Sequence, residues 1–325
     1  MHVMITGANG FVGRHLAERL LAEGVNGHQL SALTLLDVCF NAAPFDKRVG
    51  QLAGSISDEA LLRQAFATPV DVIFHLASVP GGAAERDFSL GLEVNLQATI
   101  ALLECARRQA VAPRLIYASS IAVYGTNLPE RIDDSTPMRP HLSYGAHKRA
   151  SEILIEDYSR RGWGDGRIVR LPGIVARPPS PSGLLSAFMS DVFWSLAAGV
   201  RFLCPVSAAA TSWWMSVGCC VDNLMHAAAL MPEQVESRRD YTLPVLRFSM
   251  GALIDGLAAR YGADRLALVD YEPVASLEAG FGAQPPLDAS AAQAIGFRHD
   301  GSLEALIERI CSEIDRQSIQ SGKKT

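Results

Sequence analysis

Three glycines at a spacing of three, Gly7, Gly10 and Gly13, separate the apolar run Val3-Met4-Ile5 from a segment carrying Leu16, Leu20 and Leu21 at helical intervals. Nothing else in the chain restricts its fold as much. A strand, His2 to Ile5, must turn sharply into a helix, Arg14 to Ala22, and the turn needs residues without a Cβ. A backbone bared in this way approaches a pyrophosphate closely. The helix N-terminus behind it offers N–H groups and the positive end of a dipole. A glycine triplet alone also occurs in ordinary turns. Here the strand before it and the helix after it supply the context of a dinucleotide-binding loop, with Asn9, Phe11 and Val12 inside it.

The strand–helix alternation continues. Ala32 to Asp37 reads as a strand, Asp58 to Phe66 as a helix and Val70 to Leu76 as a strand. Leu92 to Arg108 is a long helix, Arg114 to Ser119 a strand, Tyr144 to Arg161 a second long helix and Arg167 to Leu171 a buried strand. This order predicts an α/β fold, a doubly wound parallel sheet of the Rossmann type. The proline-rich run Arg177-Pro178-Pro179-Ser180-Pro181-Ser182-Gly183 then breaks the pattern. Beyond it come a helix Leu184 to Ala198, a strand Phe202 to Cys204, the segment Thr211 to Val221, and helices Asp222 to Leu230 and Met250 to Tyr261. The expected division is residues 1–176, mainly the nucleotide domain, and residues 177–325, mainly a smaller C-terminal substrate lobe. Some segments of that lobe return to the sheet, and the lobe closes a cleft against it. The last four residues are expected to fray.

Asp37 ends the second strand, at the distance expected of an acid that accepts hydrogen bonds from ribose hydroxyls. A carboxylate there repels the extra phosphate of NADP. The nearest basic residues in the numbering are Lys47 and Arg48. The expected cofactor is therefore NAD.

Tyr144 and Lys148 lie four apart on a helix and so share a face. An ammonium there favours the phenolate of the tyrosine, which can then take a proton from an alcohol while hydride leaves the carbon. Ser120 sits where the strand Arg114 to Ser119 runs into a loop, at the ligand-facing edge of a doubly wound sheet. It is placed to hydrogen-bond a substrate oxygen.

Taken together, Gly7/Gly10/Gly13, His75-Leu76-Ala77-Ser78, Asn95, Ser119-Ser120-Ile121-Ala122-Val123-Tyr124-Gly125 and Tyr144 with Lys148 resemble the extended short-chain dehydrogenase/reductase family, the NAD-dependent epimerases and dehydratases. The resemblance implies that Ser120 orients the reacting oxygen, Tyr144 moves the proton, and Lys148 holds the nicotinamide ribose. It implies further cofactor contacts at Ser57, Leu76, Ala77, Ser78, Asn95, Ser119, Leu171 and Pro172. Substrate contacts are expected at Ser120, Tyr144, Gly173, Ser182, Ser186 and Trp213. Family members often dimerise through their two long helices, so a homodimer is expected.

Dehydratases of the family carry an acidic pair after the serine, where this chain has Ile121 and Ala122. Nucleotide-sugar epimerases carry an arginine shortly before a Val-Asp pair. Here Val221-Asp222 is preceded by Ser216 at the equivalent position, and no arginine occurs from Phe202 to Pro232. A diphosphate there would lack its charge-assisted hydrogen bonds. The chain instead resembles the D-erythronate dehydrogenase group, through Glu85-Arg86-Asp87-Phe88-Ser89-Leu90-Gly91, Asp157-Tyr158-Ser159-Arg160-Arg161-Gly162, Arg170-Leu171-Pro172, Cys204-Pro205-Val206 and Trp213-Trp214-Met215-Ser216. That likeness implies an NAD-dependent oxidoreductase acting on a secondary alcohol of a hydroxy acid. The alternative is a sugar epimerase with tightly bound NAD. The run Pro181-Ser182-Gly183-Leu184-Leu185 and the absence of arginines near Trp194 and Thr211 depart from the group. With Phe188, Trp194, Trp213 and Trp214 nearby, they point to a bulkier or less anionic substrate than D-erythronate.

Composition excludes other classes. A net charge of −5 over 325 residues gives no reason to expect nucleic acid, whose binders carry a basic patch. No apolar run is long enough for a membrane span. The opening strand leaves no room for a secretory leader, so a cytoplasmic protein is expected. The six cysteines form no Cys-x-x-Cys pair and no metal-ligand spacing, so no metal is expected. Cys219 and Cys220 are expected on a strand, facing opposite sides.

Overall fold

The computed structural model describes residues 1–40, 42–44, 46–179 and 184–320. Its strands are β1 (His2–Thr6), β2 (Ala32–Asp37), β3 (Val49–Ala53), β4 (Val72–His75), β5 (Arg114–Ser120), β6 (Asp165–Leu171), β7 (Gly173–Val175), β8 (Phe202–Cys204), β9 (Thr211–Ser216), β10 (Asp240–Thr242), β11 (Leu246–Ser249) and β12 (Val269–Tyr271).

The chain forms two units. The first comprises Met1–Gly125, Pro137–Leu171 and Val221–Thr242. Its seven strands run parallel in the order β10-β6-β5-β4-β1-β2-β3. The order reverses beside β1, which places the ligand crevice at the carboxyl ends of β1 and β4. All five residues of β1 are buried, as a strand covered on both faces must be. One core contains Met4, Leu36, Ile73, Leu115 and Tyr117 from the strands, packed with Leu102 and Ile155 from helices Ala98–Arg107 and Ser143–Arg160. Elsewhere in this unit, helix Phe11–Glu23 buries Leu16 and Leu20, and its Arg19 pairs with Asp222 at 3.1 Å.

The second unit comprises Thr126–Thr136, Pro172–Cys220 and Leu243–Thr325. It contains a three-stranded sheet, β11-β9-β7, and the pair β12-β8. Its core joins helices Phe188–Ala198, Met250–Tyr261 and Leu303–Gln320 around Phe193, Trp214, Leu253 and Leu306.

Most elements lie where their periodicity places them, and Asp58 caps its helix by accepting N–H from Ala60 and Leu61. Three differences have physical causes. The long helix after β4 is interrupted by a π-helical turn, Glu93–Gln97, centred on Asn95, whose side chain is held elsewhere. Cys219 and Cys220 are not on a strand. Helix Val217–Ala229 begins before them because the Ser216 hydroxyl accepts the N–H of Cys219 at 3.1 Å and starts the helix early. Short β3 and β10 extend the sheet at its two edges, where partly exposed sequences carry little strand periodicity.

Candidate active site

The glycine turn is closed from within the first unit. Gly7 has φ of +70°, and a Cβ on it would lie 2.7 Å from the Ala77 nitrogen. A Cβ on Gly13 would lie 2.3 Å from the Gly7 carbonyl oxygen. The turn hangs on β2, since Gly7 N–H donates to Leu36 O at 2.9 Å. The Asp37 carboxylate accepts N–H from Asn9 and from Val38, each at 2.7 Å. These two amides aim it beside the loop with lone pairs to spare for two hydroxyls. Arg48, the nearest guanidinium in sequence, is engaged with Asp46 at 2.6 Å. The acid that would accept the ribose hydroxyls is thus preset beside the glycine turn, and Arg48 is held by Asp46, an arrangement that fits NAD.

The loop after β4 is held by a buried relay. Asn95 clamps Val79, accepting its N–H at 2.7 Å and donating to its carbonyl at 3.1 Å. The Asn95 carbonyl accepts the hydroxyls of Thr99 and Ser151. Because Thr99 donates there, its oxygen accepts from His75 Nε2 at 2.9 Å, which leaves His75 Nδ1 to accept from Thr6 at 2.7 Å. Burial, aided by the charge on Lys148, drives His75 down to about 3, so the ring is neutral. Ala77 N–H completes the chain by donating to the Thr6 hydroxyl at 3.3 Å. Thr6, just before Gly7, is thus tied to the loop Leu76-Ala77-Ser78-Val79.

At the carboxyl end of β5, Ser120 accepts the N–H of Ala122 at 3.1 Å and retains its own proton for donation. Tyr144 and Lys148 stand on helix Ser143–Arg160. The Lys148 ammonium donates to Ala118 O at 2.7 Å, two residues before Ser120. It lies 4.7 Å from the Tyr117 ring centroid and 5.7 Å from that of Tyr144. Burial drives Lys148 down to about 7, against the opposing pull of Glu152. Glu85 accepts the N–H of Ser143 at 2.5 Å and so fixes the start of this helix.

Two buried charged residues adjoin these groups and were given no role by the motifs above. Glu152 and Arg170 are buried and paired side-on, Nε to Oε1 and Nη2 to Oε2, each at 2.9 Å along one edge of the guanidinium. Arg170 also reaches Asp240 at 2.6 Å. Burial opposes the charge on Arg170, but Glu152 and Asp240 together outweigh it and raise its pKa. A signal was present. Glu152 continues the four-residue spacing of Tyr144 and Lys148, and Arg170 interrupts the apolar run Ile168-Val169-Arg170-Leu171. A charge inside a strand covered on both faces needs a partner.

The remaining expected residues sort as follows. Ser119 is buried and donates to Glu152 at 2.5 Å, so its hydroxyl is engaged within the protein. Ser57 donates to Glu93. Leu171 ends β6. Pro172, Gly173, Ser186 and Trp213 belong to the second unit. There Gly173 packs under the Trp213 carbonyl, where a Cβ would lie 2.9 Å away. The Ser186 carbonyl accepts Met189 N–H at 3.0 Å. Trp213 is buried and donates its indole N–H to Pro285 O at 2.7 Å. Ser182 lies outside the described residues. Trp214 stacks on Phe248 at 5.2 Å and, like Phe188, belongs to the core. The aromatic side chains expected to line a bulky pocket are thus largely core.

The sequence pattern described as the NAD dependent epimerase/dehydratase family matches residues 3–199. The D-erythronate dehydrogenase of Cupriavidus necator is 40% identical over 94% of this chain and 97% of its own length. That of Haemophilus influenzae is 35% identical over 95% of this chain and 98% of its own. The solved structure of a nucleoside-diphosphate-sugar epimerase from Agrobacterium tumefaciens superposes with a TM-score of 0.89 at 35% identity, covering 94% of this chain and 92% of that one.

Proposed function

This chain belongs to the NAD dependent epimerase/dehydratase family and is an NAD-dependent oxidoreductase acting on a CH–OH group, and we propose that its substrate is a small hydroxy acid, D-erythronate or a close analogue. The observation that carries this reading is Lys148. Its ammonium is buried between the rings of Tyr117 and Tyr144 and anchored on Ala118 O, beside the strand end that presents Ser120.

Bound NAD supplies the hydride acceptor. Gly7, Gly10, Gly13 and the helix N-terminus behind them would hold the pyrophosphate, and Asp37 the adenine ribose. The Tyr144 phenolate takes the proton of the substrate alcohol as the C–H bond breaks. Ser120 donates to the same oxygen and orients it. Lys148 stabilises the phenolate and would hold the nicotinamide ribose. Further cofactor contacts are proposed at Leu76, Ala77, Ser78, Leu171 and Pro172. Gly173 and Ser186 are proposed on the substrate side.

The Agrobacterium structure bears the name of an epimerase, which is the second reading. Ser216 speaks against it. It stands where nucleotide-sugar epimerases carry a diphosphate-binding arginine, and both its hydroxyl and its N–H are engaged by Asp300 at 2.5 and 2.9 Å. Incubation with D-erythronate and with a nucleotide sugar separates the two readings. The dehydrogenase accumulates NADH with the acid. An epimerase converts the sugar without net NADH.

We place the enzyme in the cytoplasm on its six free thiols. Among the described residues no helix is long and apolar enough to cross a membrane. A homodimer is supported by Phe88, Leu90, Ile100 and Ile153, exposed on helices of the first unit. Light scattering tests it, with Ile153→Glu expected to yield monomer.

A further inference from the structure

No step of the chemistry above uses Glu152, yet it is wholly buried beneath the groups that do. We propose that Glu152 is a positioning residue of this centre: it locks the strand end carrying Ser120 to the helix carrying Tyr144 and Lys148, and it is the counter-charge of the Lys148 ammonium. The inference rests on the dehydrogenase reading of those three residues.

Both carboxylate oxygens are engaged. Oε1 accepts from Ser119 at 2.5 Å and from Arg170 Nε at 2.9 Å. Oε2 accepts from Arg170 Nη2 at 2.9 Å and from Arg149 Nη1 at 2.8 Å. Ser119 and Arg170 are register partners on β5 and β6. One carboxylate therefore fastens two adjacent strands to one helix, and Ser119 immediately precedes Ser120. Lys148 lies one turn before Glu152, and Tyr144 two turns before, on the same face.

Among the described residues, four side chains face Lys148. Tyr144 and Glu152 are on its own helix, Tyr117 on β5, and neutral His75 on β4. Of these four only Glu152 carries the opposite charge. Around Glu152 itself stand Arg149 and Glu156 on its helix, Arg170 on β6 and, beyond Arg170, Asp240 on β10. Removing the Glu152 charge leaves Arg170 paired with Asp240 and strips Lys148 of its counter-charge. Lys148 then releases its proton at lower pH, and the Tyr144 phenolate loses support.

Two variants test this. Glu152→Gln keeps the shape and loses the charge. Ser119→Ala keeps the charge and loses the tie to the strand. With NAD and D-erythronate, Glu152→Gln is expected to lower kcat about tenfold to a hundredfold, as small misplacements do. KM for NAD should stay within about twofold, because the glycine loop and Asp37 are untouched. The loss should deepen as pH rises. Ser119→Ala should lower kcat by a pH-independent factor, and the double variant should be no worse than Glu152→Gln. Wild-type kcat in Glu152→Gln, or a loss that follows thermal stability and ignores pH, overturns the proposal. A readout independent of substrate keeps it separate from the functional reading. The ultraviolet titration of Tyr144, taken as the difference from Tyr144→Phe, should move to higher pH in Glu152→Gln. If the wild type makes no NADH from D-erythronate, the substrate reading fails, and this titration alone decides the role of Glu152. An unmoved titration rejects it.

Discussion

The carboxylate of Asp37 accepts the backbone N–H of Asn9 at 2.7 Å, so the acid that ends β2 and the loop that follows β1 form one rigid unit. The acid is pre-aimed by Asn9 and Val38 before any ribose arrives. Asp37→Ser removes two charge-assisted hydrogen bonds to ribose and the repulsion of a 2′-phosphate. Hydrogen bonds to charged groups contribute about 1.5–3 kcal/mol each. The ratio of kcat/KM for NAD over NADP is expected to fall at least about tenfold. An unchanged ratio separates Asp37 from cofactor choice.

Tyr144→Phe keeps the ring that packs beside Gly81 and Lys148 and deletes the hydroxyl. General acid–base groups contribute about a hundredfold to ten-thousandfold. Turnover should drop by that factor while NADH binding, followed by fluorescence, stays near wild type.

Gly13→Ala should disable the cradle without touching the chemistry. Its Cβ would meet Gly7 O at 2.3 Å and the Ala8 Cα at 2.8 Å, both backbone atoms that cannot swing aside. Overpacking of this kind costs about 1–3 kcal/mol. Calorimetry should show a lower Tm, and NADH titration a much weaker complex.

Lys148 links stability to pH. Burial lowers its pKa in the folded protein to about 7 from the ordinary 10.5, so between these values the unfolded chain binds the extra proton. This contribution to stability is fully present above 10.5 and is lost as pH falls to about 7. Lys148→Met abolishes it. Denaturant melts of the NAD-free protein should therefore show the variant gaining on wild type as pH falls across that window. A gap that does not vary with pH contradicts the burial of the ammonium.

The first half of the fold was open to sequence reading because each signal there is local. The strand, glycines and helix from His2 to Glu23 are contiguous, as are Tyr144 and Lys148 on their helix. What escaped depends on residues far apart in the chain. The bonds of Glu152 to Ser119 and Arg170 join three elements that only the sheet order brings together. The amide of Asn95 clamps Val79, a partner sixteen positions away that no periodicity reveals. The surroundings of the tryptophans were hidden for a similar reason. Trp213 and Trp214 alternate on β9 like pocket residues, yet Pro285 and Phe248 carbonyls claim their indole N–H groups. Both indoles are thus tied to backbone carbonyls of the second unit.

The central claim is hydride transfer from a hydroxy acid to NAD with Tyr144 as the base. The most direct measurement uses D-erythronate deuterated at its carbinol carbons, with mass analysis of the cofactor after turnover. Deuterated NADH should accumulate in step with the oxo acid, and Tyr144→Phe should form almost none. Cofactor recovered as unlabelled NAD, with the acid unchanged or merely inverted at one carbon, would contradict it.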